Sequence, residues 1–387
     1  MDSTYYNPLI TENHEKYRSK IRRFAEQIIE PQAGHLDQTG TFSVDITKQM
    51  GEQGLLGIQI PKEYGGQALD TISYIIAVEE VARIDGSHAA TVAAHNSLGI
   101  GPIAKYGTTA QKEKYLPALS SSGKLWAFGL TEPKAGSDAN NSQTTAVKSK
   151  DSWKIDGHKV FITNSSSELS AGVTIQAVTS EKDGKKRFTS ILVDKDTPGY
   201  RTEAITNKML WRAADTGKLY FTDCEVPLEN LLGEEGKGTH LMMETLDSGR
   251  LSIAAMGLGL AQGAYEMAHA YAQNRVQFGR PISKFQAISF KLADMATKIE
   301  LARTMLYKVC WQKDNKLPFG KEAAMAKLFC SEVARDVSDE ALQIHGAYGV
   351  ITDTGIERFF RDQRILQIGE GTSEILRLVI ARHIGIK

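Results

Sequence analysis

Between residues 17 and 30, Ile21, Phe24, Ile28 and Ile29 fall on one helical face, and Pro31 is expected to stop the run. Further helical runs are expected over about 70–84, rich in Ile, Val and Glu, and over about 89–106. No clear period-two alternation precedes residue 125. The middle third changes character. Trp126, Phe128 and Leu130 alternate with smaller residues, as in a half-buried strand. The segment 153–163 carries Asp156-Gly157 between two strand-like arms and predicts a hairpin, and Asp183-Gly184 predicts a second. Short strands are expected over 188–193 and 218–221. The last third is helical again. Ile253, Gly257, Leu260, Ala264, Met267 and Tyr271 form one seam at alternating spacings of four and three. Ile288, Leu292, Met295, Ile299, Ala302, Leu306 and Val309 form another. Such seams suit long antiparallel helices. Further helices are expected over about 320–345 and 372–383. The pattern predicts an α+β, mostly α, chain in three units. These are a helical domain over 1–125, a β-barrel or sandwich over 126–232 and a four-helix bundle over 233–387.

Composition narrows the function. Lys plus Arg and Asp plus Glu number 46 each among 387 residues. Zero net charge argues against a nucleic-acid binder, which needs a basic excess. The three cysteines, Cys224, Cys310 and Cys330, form no CxxC pair, so neither a disulfide framework nor a zinc site is expected. Residues 1–11 carry an acid, two tyrosines and no basic apolar run, and no stretch of about 18 apolar residues follows. The expectation is a cytoplasmic protein without membrane insertion.

Common phosphate cradles fail to match. Gly257-Leu-Gly-Leu-Ala-Gln-Gly263 is not GxGxxG and follows no strand, so it reads as close helix packing. Gly233-Glu-Glu-Gly-Lys-Gly238 lacks the Ser or Thr that a phosphate loop places after its lysine, and reads as the loop entering the bundle. His88 and His95 stand seven apart and read as packing rather than metal ligands. Lys185-Lys186-Arg187 reads as a solvated face after a turn. No metal site is expected.

Three other segments fit one pattern. Phe128-Gly-Leu-Thr-Glu-Pro-Lys-Ala-Gly-Ser-Asp138 resembles the flavin and substrate loop of the acyl-CoA dehydrogenases. Arg275-Val-Gln-Phe-Gly279, with Phe285-Gln286, resembles their RxxFG…Q segment. Ile368-Gly-Glu-Gly-Thr-Ser-Glu-Ile375 resembles their catalytic stretch. Phe161-Ile-Thr163 and Gln343-Ile-His-Gly-Ala347 extend the resemblance over nearly the whole chain. It implies the fold of that family, FAD as cofactor and removal of two hydrogens from the α and β carbons of an acyl-CoA. By the same resemblance Glu370 is the base that takes the α-proton.

The resemblance also assigns contacts. Phe128, Leu130, Thr131, Gly136, Ser137, Phe161 and Thr163 would meet the flavin, and Ser137 the substrate as well. Arg275, Phe278, Gln286, Gln343, Ile344, Gly346 and Ala347 would hold its diphosphate half across a subunit boundary. Thr372 and Glu374 would meet it near the last helix. Asp247, Arg250, Gly369 and Gly371 would contact substrate. Some branches place the base one residue before the arginine of a DxxR-like stretch. In Asp247-Ser-Gly-Arg250 that position is Gly249, which leaves Glu370 and points to the short-chain, butyryl-CoA branch. Gly369 stands where many relatives carry an aromatic ring, which should enlarge the acyl pocket for short, branched or small cyclic groups. Trp211 and Ala347 depart from the family pattern. A homotetramer, built as a dimer of dimers, and an electron-transfer flavoprotein as acceptor are implied. The rival readings are an acyl-CoA oxidase, an enoyl-CoA reductase, and a cofactor-less helical interaction protein.

Overall fold

The computed structural model describes residues 7–386. Helix α1 (Glu12–Phe24) starts at a capping box between Thr11 and His14. It runs through a π turn, Ala25–Ile29, into α2 (Glu30–Thr39), which ends at Gly40 in the left-handed conformation. Pro31 therefore does not stop the helical run. It sits in the first turn of α2, where the N–H that proline lacks is not needed, and the wider π turn before it absorbs the mismatch. Helix α3 (Val44–Glu52) precedes α4 (Thr71–Ala82), which is capped by Asp70 and buried on every side. The run over 89–106 is α5 (Gly86–Ala94), a second π turn (His95–Ile100) and α6 (Gly101–Tyr106); α7 (Thr109–Ser121) completes this third.

The middle third is one twisted sheet. Its strands are β1 (Leu125–Gly129), β2 (Thr145–Lys148), β3 (Ser152–Thr163), β4 (Ser170–Lys182), β5 (Lys185–Asp194), β6 (Tyr200–Ala204), β7 (Thr216–Pro227) and β8 (Leu231–Leu232). The order is β6-β7-β3-β2-β4-β5-β8, with β1 parallel to β4. Two sequence expectations change here. Strand β1 is not half-buried: Leu125, Trp126 and Ala127 are all buried, because the π turn after α5, with α6 and α7, covers Trp126 on the face away from the β core. Trp126 N donates to His95 Nδ1 at 3.1 Å, which makes His95 a packing residue. Asp156-Gly157 does not turn the chain, since β3 runs straight through it. The register against β7 slips there, Gly157 takes φ +143°, and an added Cβ would lie 2.6 Å from Thr144 Oγ1. The dipeptide makes a bulge that lets β2 approach closely. Asp183-Gly184, with φ of +53° and +68°, is the hairpin turn between β4 and β5.

The last third comprises α8 (Gly238–Asn274), the small hairpin β9 (Val276–Gln277) and β10 (Arg280–Pro281), α9 (Gln286–Asp314), α10 (Gly320–His345), α11 (Ile356–Asp362) and α12 (Ser373–His383). Helices α8, α9, α10 and α12 pack as a bundle, and α8 also lies against α4. The glycines of 257–263 allow this. A Cβ on Gly257 would lie 2.8 Å from Cys330 O, and one on Gly259 or Gly263 would overlap the carbonyls of Glu79 or Arg83. One apolar core therefore runs through both helical thirds, while the sheet keeps its own around Trp153, Ile155, Ile175, Ile191 and Phe221. All three cysteines are free and buried. Among the described residues no helix is long and apolar enough to cross a membrane.

Candidate active site

The segment between α11 and α12 makes a tight double turn. The amides of Ile368 and Gly369 both donate to Ile365 O at 2.8 Å. Glu370 and Gly371 then take φ of +51° and +96° before Thr372 caps α12, its Oγ1 accepting from Ile375 N at 3.2 Å. A non-glycine residue at positive φ costs about 1–2 kcal/mol and is held only by its surroundings. The turn throws the Glu370 side chain back onto α8. A Cβ on Gly249 would overlap Glu370 Oε2 and lie 3.1 Å from Leu98 Cδ2, in the π turn after α5. Glu370 Oε2 is sealed from solvent and has no hydrogen-bond partner among the described residues. Burial pushes this carboxyl up to about 7, against the opposing pull of Lys327 and Arg250. A carboxylate poised near neutrality, with an oxygen lone pair that no hydrogen-bond donor occupies, is suited to take a proton.

Arg250 is buried one helical turn from Asp247 and ion-paired to it. Lys327 of α10 is fully buried, and its Nζ donates to Gly371 O at 2.7 Å. Sequence reasoning passed over Lys327. The available signal was a lysine within the alanine-rich stretch that includes Ala323, Ala324 and Ala326, on the helix face that packs.

A second group gathers at the ends of β1 and β3. Buried Lys159 donates to Glu132 Oε1 at 2.7 Å and to the carbonyls of Leu130 and Gln176, and Val160 N donates to Thr131 O at 2.9 Å. These bonds set the 128–138 loop beside Phe161 and Thr163. Phe161, at φ +61°, holds its ring 68% exposed, and Gly136 has nothing within 4 Å of where a Cβ would be. An aromatic face on strained backbone, two threonine hydroxyls and an uncovered glycine fit a flat heteroaromatic group such as a flavin. Asn164 Nδ2 donates to Thr91 O at 3.1 Å, so this group and Glu370 meet the same segment, α5 with its π turn. π turns recur at functional sites because they re-aim side chains.

A third group lies at the other end of the bundle. Arg275, Phe278, Gln286, Gln343, Gly346 and Ala347 are exposed, Ile344 is buried, and the Arg275 guanidinium stands 5.5 Å over the Tyr348 ring. Phe278 is 93% exposed at φ +51°. Trp211, at φ +45°, belongs to none of these groups: its amide donates to Asp362 Oδ1 at 2.9 Å and its indole lies against Gly86. The basic run after the β4–β5 turn is only partly a solvated face. Lys186 and Arg187 border a cavity of about 340 Å³ shared with Lys237, Thr239 and His240 at the start of α8. No group of three or more His, Cys, Asp or Glu able to hold a metal occurs among the described residues.

Comparison with known proteins gives one family throughout. Residues 11–123, 127–224 and 236–385 match the models described as acyl-CoA dehydrogenase N-terminal, middle and C-terminal domains. The chain is 44% identical to the short-chain specific acyl-CoA dehydrogenase of Rattus norvegicus mitochondria, over 99% of this chain and 93% of that one. It superimposes on butyryl-CoA dehydrogenase from Megasphaera elsdenii with a TM-score of 0.94 and 40% identity, covering 98% and 99% of the two chains. An acyl-CoA dehydrogenase complexed with FAD from Bacillus anthracis matches at a TM-score of 0.91 and 34% identity, over 98% of this chain and 68% of that one.

Proposed function

The chain belongs to the acyl-CoA dehydrogenase family, and from that premise we propose that it oxidises a short, branched or small cyclic acyl-CoA to the 2-enoyl-CoA with Glu370 as base. It is an FAD-binding oxidoreductase. Bound against Phe128, Leu130, Thr131, Phe161 and Thr163, FAD would supply the hydride acceptor for the β-hydrogen. The observation that carries the reading is the sealed, unpartnered Glu370 Oε2 with its carboxyl near neutrality.

This chain's own residues do the rest. Glu370 takes the α-proton onto Oε2, and closure over an apolar acyl chain keeps water from competing for that atom. Glu370 N–H bonds no acceptor among the described residues, leaving it free to donate to the thioester oxygen as charge develops there. Gly249 leaves the space the carboxyl occupies. Gly369 adds room: a Cβ there would meet only Ile365 O at 3.6 Å and Ile365 Cγ1 at 3.8 Å. The basic cavity by Lys186, Lys237 and His240 fits the phosphates of CoA. Residues 237 to 249 span about 18 Å of α8 at 1.5 Å per residue, a reach that suits an extended pantetheine arm. Ser137, Asp247 and Arg250 would line that path. Phe128, Leu130, Thr131, Phe161 and Thr163 would hold the flavin ring. The exposed group at Arg275, Phe278 and Gln286, with Gln343, Gly346 and Ala347, would serve the cofactor of a second copy in a homotetramer. Electrons would pass on to an electron-transfer flavoprotein.

The test is anaerobic mixing of the yellow holoenzyme with butyryl-, isobutyryl- and straight-chain octanoyl-CoA. Bleaching by the short and branched thioesters is expected. Glu370→Gln should keep the colour and lose the bleaching. Native-rate flavin reduction by that variant would remove Glu370 from the role, and preference for octanoyl-CoA would remove the substrate class.

A further inference from the structure

Lys327 is an expensive residue to bury. Its side chain has no exposure, it offers three N–H donors, and its one hydrogen-bond acceptor is Gly371 O. No carboxylate stands within ion-pair distance of it among the described residues. The alanines beside it, Ala323, Ala324 and Ala326, show that the α10 seam packs well with apolar side chains. An apolar residue there would avoid the desolvation that a lone ammonium suffers. The acceptor it does have is the carbonyl that closes the left-handed turn at Glu370 and Gly371, and that carbonyl has no other partner among the described residues.

We propose that Lys327 is a positioning residue for Glu370: its ammonium grips the Gly371 carbonyl, holds the strained turn that aims the carboxyl, and places a positive charge behind the base. The inference rests on the reading of Glu370 as the base. The charged and titratable groups facing Glu370 are Lys327 from α10, Arg250 from α8 and Tyr74 from α4. Glu374 of α12 also faces Lys327. Arg250 is already paired with Asp247, so Lys327 carries the uncommitted charge. Burial lowers Lys327 to about 8 while Glu370 stands at about 7. Carboxylate and ammonium therefore coexist most fully in the window between those values.

The experiment compares wild type, Lys327→Met, Lys327→Arg and Lys327→Gln as FAD-loaded enzymes. Two readouts are taken across pH: the rate of anaerobic flavin reduction by butyryl-CoA, and the protonated-carboxyl infrared band of the substrate-free protein, with Glu370→Gln as blank. In Lys327→Met the infrared titration and the acid limb of the rate profile should both rise by about one pH unit. The limiting rate should fall by about tenfold or more, with KM for butyryl-CoA changed by less than about threefold. Lys327→Arg should restore the limb toward its native place. Lys327→Gln keeps a donor without charge, and serves if the methionine variant does not fold; its limb should shift as far. An unshifted infrared titration in either uncharged variant overturns the proposal, even if the rate or the thermal stability falls. Flavin reduction by Glu370→Gln would instead sink the reading of the base, an outcome separable from this one.

Discussion

Glu370 and Gly249 occupy one small volume from opposite sides, and each predicts a measurable effect. A methyl at residue 249 would overlap the end of the Glu370 side chain, which can swing, rather than fixed backbone. Alanine also favours a helix interior over glycine by about 1 kcal/mol. Gly249→Ala should therefore fold and bind FAD, yet lose about a hundredfold in flavin reduction as the carboxyl is displaced. Circular dichroism and anaerobic stopped flow check the two halves. Glu370 itself is held at a cost. Its carboxyl lies at about 7 when folded, against the ordinary glutamate value of 4.5. The folded state then binds the extra proton between those values. The stability it contributes is full below 4.5 and is lost as pH rises through 7. Glu370→Gln should accordingly gain on wild type as pH rises, by up to about 3 kcal/mol at about pH 8 and nothing near pH 4.5. Parallel thermal melts at the two pH values decide it; equal shifts would refute the assignment of a raised carboxyl. The IGEGTSEI string made Glu370 legible by resemblance. Its lone oxygen was not legible, and Lys327 showed only as a lysine among the alanines of α10; that the two stand together depends on residues far off in the chain.

Helix α8 shows the same logic one level up. At Gly259 and Gly263 the obstruction is the backbone of α4 and its C-terminal end, at the carbonyls of Glu79 and Arg83. Backbone in a packed helix pair cannot swing aside. Gly259→Ala should lower stability by about 1–3 kcal/mol, in contrast to Gly249→Ala, as read by chemical denaturation. A native midpoint would mean that α4 and α8 can part far enough to admit the methyl. The GxGxxxG string was readable as packing because small residues at that spacing have one common use in helices. The π turns at Ala25–Ile29 and His95–Ile100 were not readable, since a one-residue widening leaves the local hydrophobic pattern helical. Asp156-Gly157 misled for a related reason. A bulge and a turn both want a flexible residue, and only the facing strands β2 and β7 select between them.

Across the whole molecule, the helical thirds are tied together by charge as well as by apolar contact. Glu79 of α4 is buried and meets Arg18 of α1, and Arg303 and Tyr307 of α9. Neighbouring Glu80 meets Arg18, Arg22 and Arg83, and Arg83 reaches Glu266 of α8. Burial would raise Glu79, but Arg18 and Arg303 outweigh it and hold its carboxyl well below the usual range. Its stabilising share is present above the unfolded carboxylate value and is lost as pH falls through the folded one. Glu79→Ala removes the buried carboxylate that Arg18, Arg303 and Tyr307 share, leaving Arg18 with Glu80 and Arg303 with Gln262, and should cost about 3 kcal/mol at neutral pH, with the difference shrinking in acid. A variant that melts within about 0.5 kcal/mol of wild type would show the network to be dispensable.

The linear order of residues was enough to establish helix, then sheet, then helix, the long seams of α8 and α9, and the family with its cofactor. Periodicity and short motifs are local properties, carried within a few turns or strands of the chain. Three-dimensional packing alone decided that Pro31 continues a helix, that β1 is buried on both faces, that Trp211 lies against Asp362, and that an unpaired lysine stands behind the proposed base. Each of these depends on the field or the space made by partners tens to hundreds of positions away, which no local window contains.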